Sequence, residues 1–205
     1  MKDRLFSVLY RFFLKSLVSL TMILSSGTHI IFIGSTSVGK TSLISRIVED
    51  KFYPTQPTTG TAFFQCSTTN ETHPSVEIWD TAGMERYRSL NKVFYKEAAA
   101  GILVFDLTNY QSFEDLESWL DEFKTEAPID SVLILTGNKC DMAEEICVDE
   151  DEINNFINEH NLKYFPVSAK TGEGVMYMFN QFLTLIPKQN DKVETILIEE
   201  EKKCC

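Results

Sequence analysis

The sequence has no Cys-x-x-Cys spacing among its five cysteines, Cys66, Cys140, Cys147, Cys204 and Cys205, and its three histidines form no cluster. That leaves no ligand pattern for a zinc site, and the thiol usage fits a reducing compartment. No internal repeat or low-complexity tract is visible. Positive charge is scarce: 19 Lys and Arg stand against 30 Asp and Glu, for a formal net charge of −11. A nucleic-acid surface is thereby disfavoured. The deficit is uneven, because residues 1–28 carry Lys2, Arg4, Arg11 and Lys15 against Asp3, or +3, leaving −14 for the remainder. An uninterrupted membrane span is also missing. A helix over residues 5–24 would put Arg11 and Lys15 into hydrocarbon, at roughly 2.5–3.5 kcal/mol each if central. What is present is 205 residues at 43% hydrophobic, enough for one α/β core.

The stretch Gly34-Ser35-Thr36-Ser37-Val38-Gly39-Lys40-Thr41 fits a Walker A phosphate loop. Before it, His29-Ile30-Ile31-Phe32-Ile33 reads as a buried strand. After it, Ser42-Leu43-Ile44-Ser45-Arg46-Ile47-Val48 places Leu43, Ile44, Ile47 and Val48 on one helical face. Gly34 and Gly39 let the backbone bend so that its N–H groups and the positive end of the helix surround phosphates. Lys40 would reach the β- and γ-phosphates and the Thr41 hydroxyl would ligate Mg²⁺. The nucleotide contacts are assigned to this loop and to Ser42, the residue that follows it. The loop alone does not name the base.

Asn138-Lys139-Cys140-Asp141 does, at the end of the apolar run Ser131-Val132-Leu133-Ile134-Leu135. A carboxylate such as Asp141 accepts from both the ring N–H and the exocyclic amine of guanine, a donor pair that adenine lacks on that edge. The Lys139 stem can lie over the ring. An isolated Asn or Asp at a strand end is more often a turn residue. Here it is joined by Ser168-Ala169-Lys170 after the strand-like Tyr164-Phe165-Pro166-Val167, where the Ala169 N–H would meet the guanine oxygen. Further strands are expected over residues 61–67, 75–80, 100–106, 131–136 and 163–167, the first two paired as a hairpin across the polar turn 68–74. Alternation with helical segments predicts a mostly parallel sheet covered on both faces, with ligands at the carboxyl ends of its strands.

With Trp79-Asp80-Thr81-Ala82-Gly83 added, the chain resembles a Ras-superfamily small GTPase from about residue 29 to 186. It is most similar to the Rab branch. The resemblance rests on Thr58-Thr59-Gly60-Thr61-Ala62-Phe63, Val76-Glu77-Ile78-Trp79-Asp80, Arg86-Tyr87-Arg88-Ser89-Leu90, Phe94-Tyr95-Lys96-Glu97-Ala98, Leu103-Val104-Phe105-Asp106-Leu107-Thr108 and the final Cys204-Cys205. Thr59 and Thr61 depart from it by replacing apolar residues, as does Lys96-Glu97 where Arg-Gly is common. The resemblance implies a P-loop NTPase of α/β class, a Ras-like G domain with a mostly parallel six-stranded sheet and helices on both faces. It also implies GTP and GDP as ligands, Mg²⁺ as cofactor and slow GTP hydrolysis. The expected partners are an exchange factor, an activating protein, a dissociation inhibitor or escort protein, and effectors. The protein would be a monomer cycling between cytosol and the cytoplasmic face of endomembranes in vesicle traffic.

The same resemblance distributes roles among residues. Phe52 would stack on guanine, or else be a helix-end core residue. A switch threonine would join Mg²⁺ only in the triphosphate state. Counting from Phe52 favours Thr59, whereas Gly60 and Phe63 favour Thr58, the assignment adopted. Asp80 would hold Mg²⁺ through water and the Gly83 N–H would contact the γ-phosphate. Lys40, Thr58, Gly83 and the residue after Gly83 form the catalytic group. That residue is Met84, where most family members carry the glutamine that orients the attacking water. Phe63, Trp79 and Phe94 match the aromatic positions that present an effector surface. Two other classes stay open: a GTP-locked binding module without useful hydrolysis, and an ordinary ATP-dependent P-loop enzyme.

Three segments result: an extension over residues 1–28, the GTPase domain over 29–186 and a tail over 187–205. In the extension Arg4, Ser7, Arg11, Lys15 and Ser19 form a polar helical stripe opposite Leu5, Leu9, Phe12, Phe13 and Leu17, a basic amphipathic pattern suited to a membrane surface. A start at Met22, making the extension a gene-model artefact, and a mitochondrial presequence are the alternatives; a secretory signal fits poorly with a cytosolic GTP-dependent domain. The tail sets Lys188, Lys192, Lys202 and Lys203 against Asp191, Glu194, Glu199, Glu200 and Glu201, so it has no polybasic attraction to anionic lipid. Its Cys204-Cys205 end resembles a double geranylgeranylation signal, and two chains supply an anchoring strength that one does not. Replacing both cysteines with Ser is expected to make the protein cytosolic by fractionation. Retention on membranes would transfer the anchor to residues 1–21.

Overall fold

The computed structural model describes residues 28–53, 58, 60–81, 83 and 88–187. Six strands form one sheet: β1 (Thr28–Ile33), β2 (Thr61–Ser67), β3 (Ser75–Thr81), β4 (Ala100–Asp106), β5 (Val132–Asn138) and β6 (Lys163–Pro166). Their order is β2-β3-β1-β4-β5-β6. Only the β2–β3 hairpin is antiparallel, so the mostly parallel sheet is as expected. The helices are α1 (Lys40–Glu49), α2 (Arg88–Tyr95), α3 (Tyr110–Glu114), α4 (Leu116–Glu126), α5 (Glu150–His160) and α6 (Val175–Leu185).

Strand alternation explains the layering. In β1, Ile30 and Phe32 point into a core shared with Leu43, Ile44 and Ile47 of α1 and Met178, Phe179 and Phe182 of α6. Ile31 and Ile33 point the other way, onto Trp119, Leu120 and Phe123 of α4 and Ile153 of α5. β4 is buried along its whole length, which is why it reads as an unbroken small and apolar run, Ala-Gly-Ile-Leu-Val-Phe. β2, at the sheet edge, alternates exposed and covered positions. Local signals fix the helix ends. At α5 the Asp149 carboxylate accepts from the Asp151 N–H at 2.7 Å, three acidic residues fill the first turn, and Asn161 closes the helix with φ 53°.

β5 runs two residues past its expected end, through Gly137 to Asn138. Asp106 and Asn138 are in register, and the Leu107 N–H donates to the Asn138 carbonyl at 3.0 Å. The first residue of the Asn-Lys-Cys-Asp motif therefore belongs to a rigid strand. At the opposite end of the sheet His73 is buried in the hairpin turn. Its Nε2 lies 3.0 Å from the Ile186 carbonyl, which only accepts, so Nε2 carries the proton. Its Nδ1 then accepts from the Thr28 hydroxyl at 2.8 Å.

Phe182 is fully buried between α6 and the sheet, whereas Ile129 is fully exposed. Phe182→Ala is expected to cost about 3–5 kcal/mol in urea unfolding at fixed nucleotide concentration. Ile129→Ala in the same measurement should stay within about 0.5 kcal/mol of the unaltered protein.

Candidate functional site

The carboxyl ends of β1, β3, β4, β5 and β6 bring the sequence motifs around one cleft. Thr36, Ser37, Gly39, Lys40, Thr41 and Ser42 line its phosphate end. Glycine is required twice in this loop. Gly34 has φ 138° and a Cβ there would lie 2.1 Å from the Val104 carbonyl oxygen; Gly39 has φ 98° and its Cβ would lie 2.2 Å from Asn138 Nδ2. Gly34 and Val38 are buried behind the cleft wall. Ser35 turns away from the cleft: its hydroxyl donates to Asp115 at 2.7 Å and accepts from Trp119 Nε1 at 3.0 Å.

Lys40 Nζ donates to the Gly34 carbonyl at 2.7 Å and the Ser35 carbonyl at 2.8 Å. Burial lowers its pKa to about 8, with the Asp80 carboxylate pulling it back upward. Phosphate oxygens would meet the same donors with a full negative charge, which favours the ammonium.

Oxygen atoms converge beside Lys40. Thr41 Oγ1 donates to Asp80 Oδ2 at 2.6 Å, the Thr41 and Thr58 hydroxyls are 2.9 Å apart, and Thr58 Oγ1 donates to Asp80 Oδ2 at 3.3 Å. Asp80 Oδ1 is buried and has no hydrogen-bond partner among the described residues. Burial raises the Asp80 pKa, while the Thr41 bond, the Lys40 charge and the Thr58 bond oppose that rise. An orphaned carboxylate oxygen among hydroxyls is an all-oxygen donor set that fits Mg²⁺. Gly83 lies against the phosphate loop, where a Cβ would be 2.4 Å from the Ser35 carbonyl carbon. Thr59, Met84, Cys204 and Cys205 fall outside the described residues, as do residues 1–27 and 188–205.

At the other end of the cleft stand Phe52, Asn138, Lys139, Asp141, Ala169 and Lys170. Phe52 is 44% exposed, so it is no helix-end core residue. Lys139 is left-handed, with φ 69°, and its ammonium pairs with the buried Asp106 carboxylate, which also accepts from the Thr108 N–H and hydroxyl. Asp141 Oδ1 accepts from the Ser168 hydroxyl at 2.7 Å, and Oδ2 lies 3.7 Å from Lys170 Nζ. Ser168 is completely buried, so its side chain orients Asp141 rather than lining the cleft.

The Ala169 N–H, assigned to the guanine oxygen, donates here to Asn138 Oδ1 at 3.0 Å. A buried N–H takes the nearest acceptor, and Asn138 reaches it because β5 extends to that residue. Met142 also lines the cleft and had no signal beyond adjacency to Asp141. Outside the cleft, Phe63 and Trp79 are register partners on β2 and β3, with ring centroids 5.4 Å apart, and Phe94 of α2 lies 4.6 Å from Trp79. Phe63 is half exposed, and Trp79 and Phe94 rest on the core.

A phosphate loop after β1 in a six-stranded sheet of this order, with Asp80 next to the last residue of β3 and Asn138 ending β5, defines a Ras-like G domain. Comparison with known proteins agrees: the model of the Ras family matches residues 29–188. The chain is 38% identical over 161 residues to Ras-related protein RABF2a of Arabidopsis thaliana, covering 78% of this chain and 80% of that protein. It is 38% identical over 165 residues to GTP-binding protein ypt5 of Schizosaccharomyces pombe, with 78% of each chain covered. RABF2b of Arabidopsis thaliana is 37% identical over 166 residues, covering 80% of this chain and 83% of the relative. The chain belongs to the Ras family, in its Rab branch of small GTPases.

Thr58→Ala is expected to reduce Mg²⁺-supported GTP affinity about tenfold, by loss of a hydrogen-bonding hydroxyl in a charged cluster, while sparing GDP affinity. Equilibrium titration of both nucleotides checks this. If Thr59→Ala has that effect and Thr58→Ala does not, the switch threonine is Thr59.

Proposed function

We propose that this Rab-branch GTPase is a membrane-tethered switch in vesicle traffic, recruiting effectors in its GTP form and releasing them after slow hydrolysis. The observation that carries this reading is the convergence of Thr58 on Thr41 and Asp80. Thr58 comes from the segment between α1 and β2, so a γ-phosphate that engages this cluster also orders that segment. Gly83, two residues beyond β3, packs on the phosphate loop and lines the same cleft. Phe63 and Trp79 lie on β2 and β3, between Thr58 and Gly83 in the chain, and with Phe94 they offer an aromatic surface whose exposure follows the nucleotide.

In this assignment the phosphate loop from Gly34 to Ser42 grips the phosphates, with Lys40 as the cation. Asp141, oriented by Ser168, reads the ring N–H and amine of guanine; Phe52 and the Lys139 stem cover its faces. Asn138 holds the walls together. Mg²⁺, which Thr41 and Thr58 would hold directly and Asp80 through water, would supply charge neutralisation on the β- and γ-phosphates. Membership of the Rab branch removes the ATP-dependent enzyme from consideration. Cys204 and Cys205 carry prenyl chains that place the monomer on the cytoplasmic face of endomembranes, with the basic extension as an accessory membrane contact. Exchange, activating and escort proteins turn the cycle.

Met84 sets the rate. A thioether has no N–H donor and is a weak acceptor, so it does not hold water as an amide does. Single-turnover hydrolysis is expected to be several-fold faster in Met84→Gln than in the unaltered protein, with the gap narrowing when a Rab-type activating protein is added. Equal unassisted rates would remove Met84 from the catalytic account. Failure to hydrolyse even with a cognate activator would favour the GTP-locked module.

A further inference from the structure

Arg46 lies in the last turn of α1, with only 14% of its side chain exposed, and does not line the cleft. Its guanidinium nevertheless touches both walls of the base end. Nε donates to the Ala169 carbonyl at 3.1 Å and Nη2 to the Lys170 carbonyl at 2.9 Å. Nη1 donates to the Asp50 carbonyl at 2.8 Å and to the Asp50 carboxylate at 3.1 Å. Ala169 and Lys170 form one wall. Asp50, left-handed with φ 53°, ends α1 and directs the chain toward Phe52, which forms the other.

We propose that Arg46 is a positioning residue for guanine: it fastens the 168–170 loop to the segment carrying Phe52 and so sets how long bound nucleotide stays. Planar geometry makes this possible. Five N–H donors in a rigid fork serve three main-chain carbonyls on two segments, whereas an ammonium is a point donor on a flexible stem. The ion pair to Asp50 contributes little, because that carboxylate is 89% exposed. The carbonyl bonds carry the effect. Either wall can swing away from the base only by breaking bonds to the same guanidinium. Because α1 also begins at Lys40 and Thr41, the helix relates the base walls to the phosphate loop as one body.

This rests on the guanine-site assignment, and the test separates the two. The full chain is loaded with fluorescent GDP and chased with excess GDP, in Mg²⁺ and after chelation with EDTA. Arg46→Ala and Arg46→Lys are expected to release GDP about tenfold faster, as loss of charge-assisted bonds to one wall implies. The acceleration should persist in EDTA, because it acts at the base end and adds to the metal's effect. Single-turnover hydrolysis of bound GTP should be unchanged, and Asp50→Asn, which keeps the carbonyl and tolerates a left-handed backbone, should release at the normal rate. Asp141→Asn is the control for the site. If it weakens GDP and strengthens xanthosine diphosphate binding while both Arg46 variants release normally, the clamp is wrong and the site stands. An acceleration that vanishes in EDTA, or hydrolysis falling in parallel with release, would place the effect in the phosphate loop and overturn the proposal. No change in Asp141→Asn would remove the guanine assignment and the clamp with it.

Discussion

The side-chain amide of Asn138 is 2% exposed and sits where three loops meet. Its Nδ2 donates to the Val38 carbonyl at 2.8 Å and its Oδ1 accepts from the Ala169 N–H at 3.0 Å. Each of those backbone groups is shut away from water, so an unpaired one would cost about 1–3 kcal/mol. One amide thus keeps the phosphate loop, the end of β5 and the 168–170 loop in a fixed relation. Gly39 has to be glycine because the amide nitrogen occupies the space a Cβ would need. The separation between phosphate grip and base grip follows from this single buried group.

Around it the site is arranged with its charges only partly answered. Lys40 is buried against two carbonyls, its proton held less firmly than on an exposed lysine. Asp80 has one oxygen bonded to hydroxyls and the other bonded to nothing among the described residues. Such arrangements are costly alone and become favourable when opposite charge arrives. In the function proposed above, the triphosphate would meet Lys40 and a hard cation would meet Asp80. Affinity is built by leaving these groups short of partners in the folded chain while the apolar layers on both sheet faces hold them still.

Local regularities were legible in the chain. The apolar run from Ile30 to Ile33, the helical spacing of Leu43, Ile44 and Ile47, and the turn between β2 and β3 follow from periodicity and composition, and the structure has them at those places. The motif residues stood out by their spacing, and the structure gathers residues from each motif around one cleft. What was not legible depends on distant segments meeting. Asn138 lies two residues beyond the expected end of its strand yet ends β5, since β5 pairs with β4 up to Asp106. Arg46 and Ala169 are 123 positions apart, Ser35 and Trp119 are 84 apart, and no local pattern announces either contact. Ser168, assigned to the nucleotide, is buried with its hydroxyl donating to Asp141, a direction that depends on how β6 ends beside β5.

The His73 imidazole bonds to the hydroxyl of Thr28, at the start of β1, and to the carbonyl of Ile186, just past α6. The chain therefore enters and leaves the domain at one ring, at the end of the sheet away from the nucleotide cleft. Pulling on either end loads this same spot. A force applied there tends to swing the domain about a single pivot rather than stretch it between two anchors.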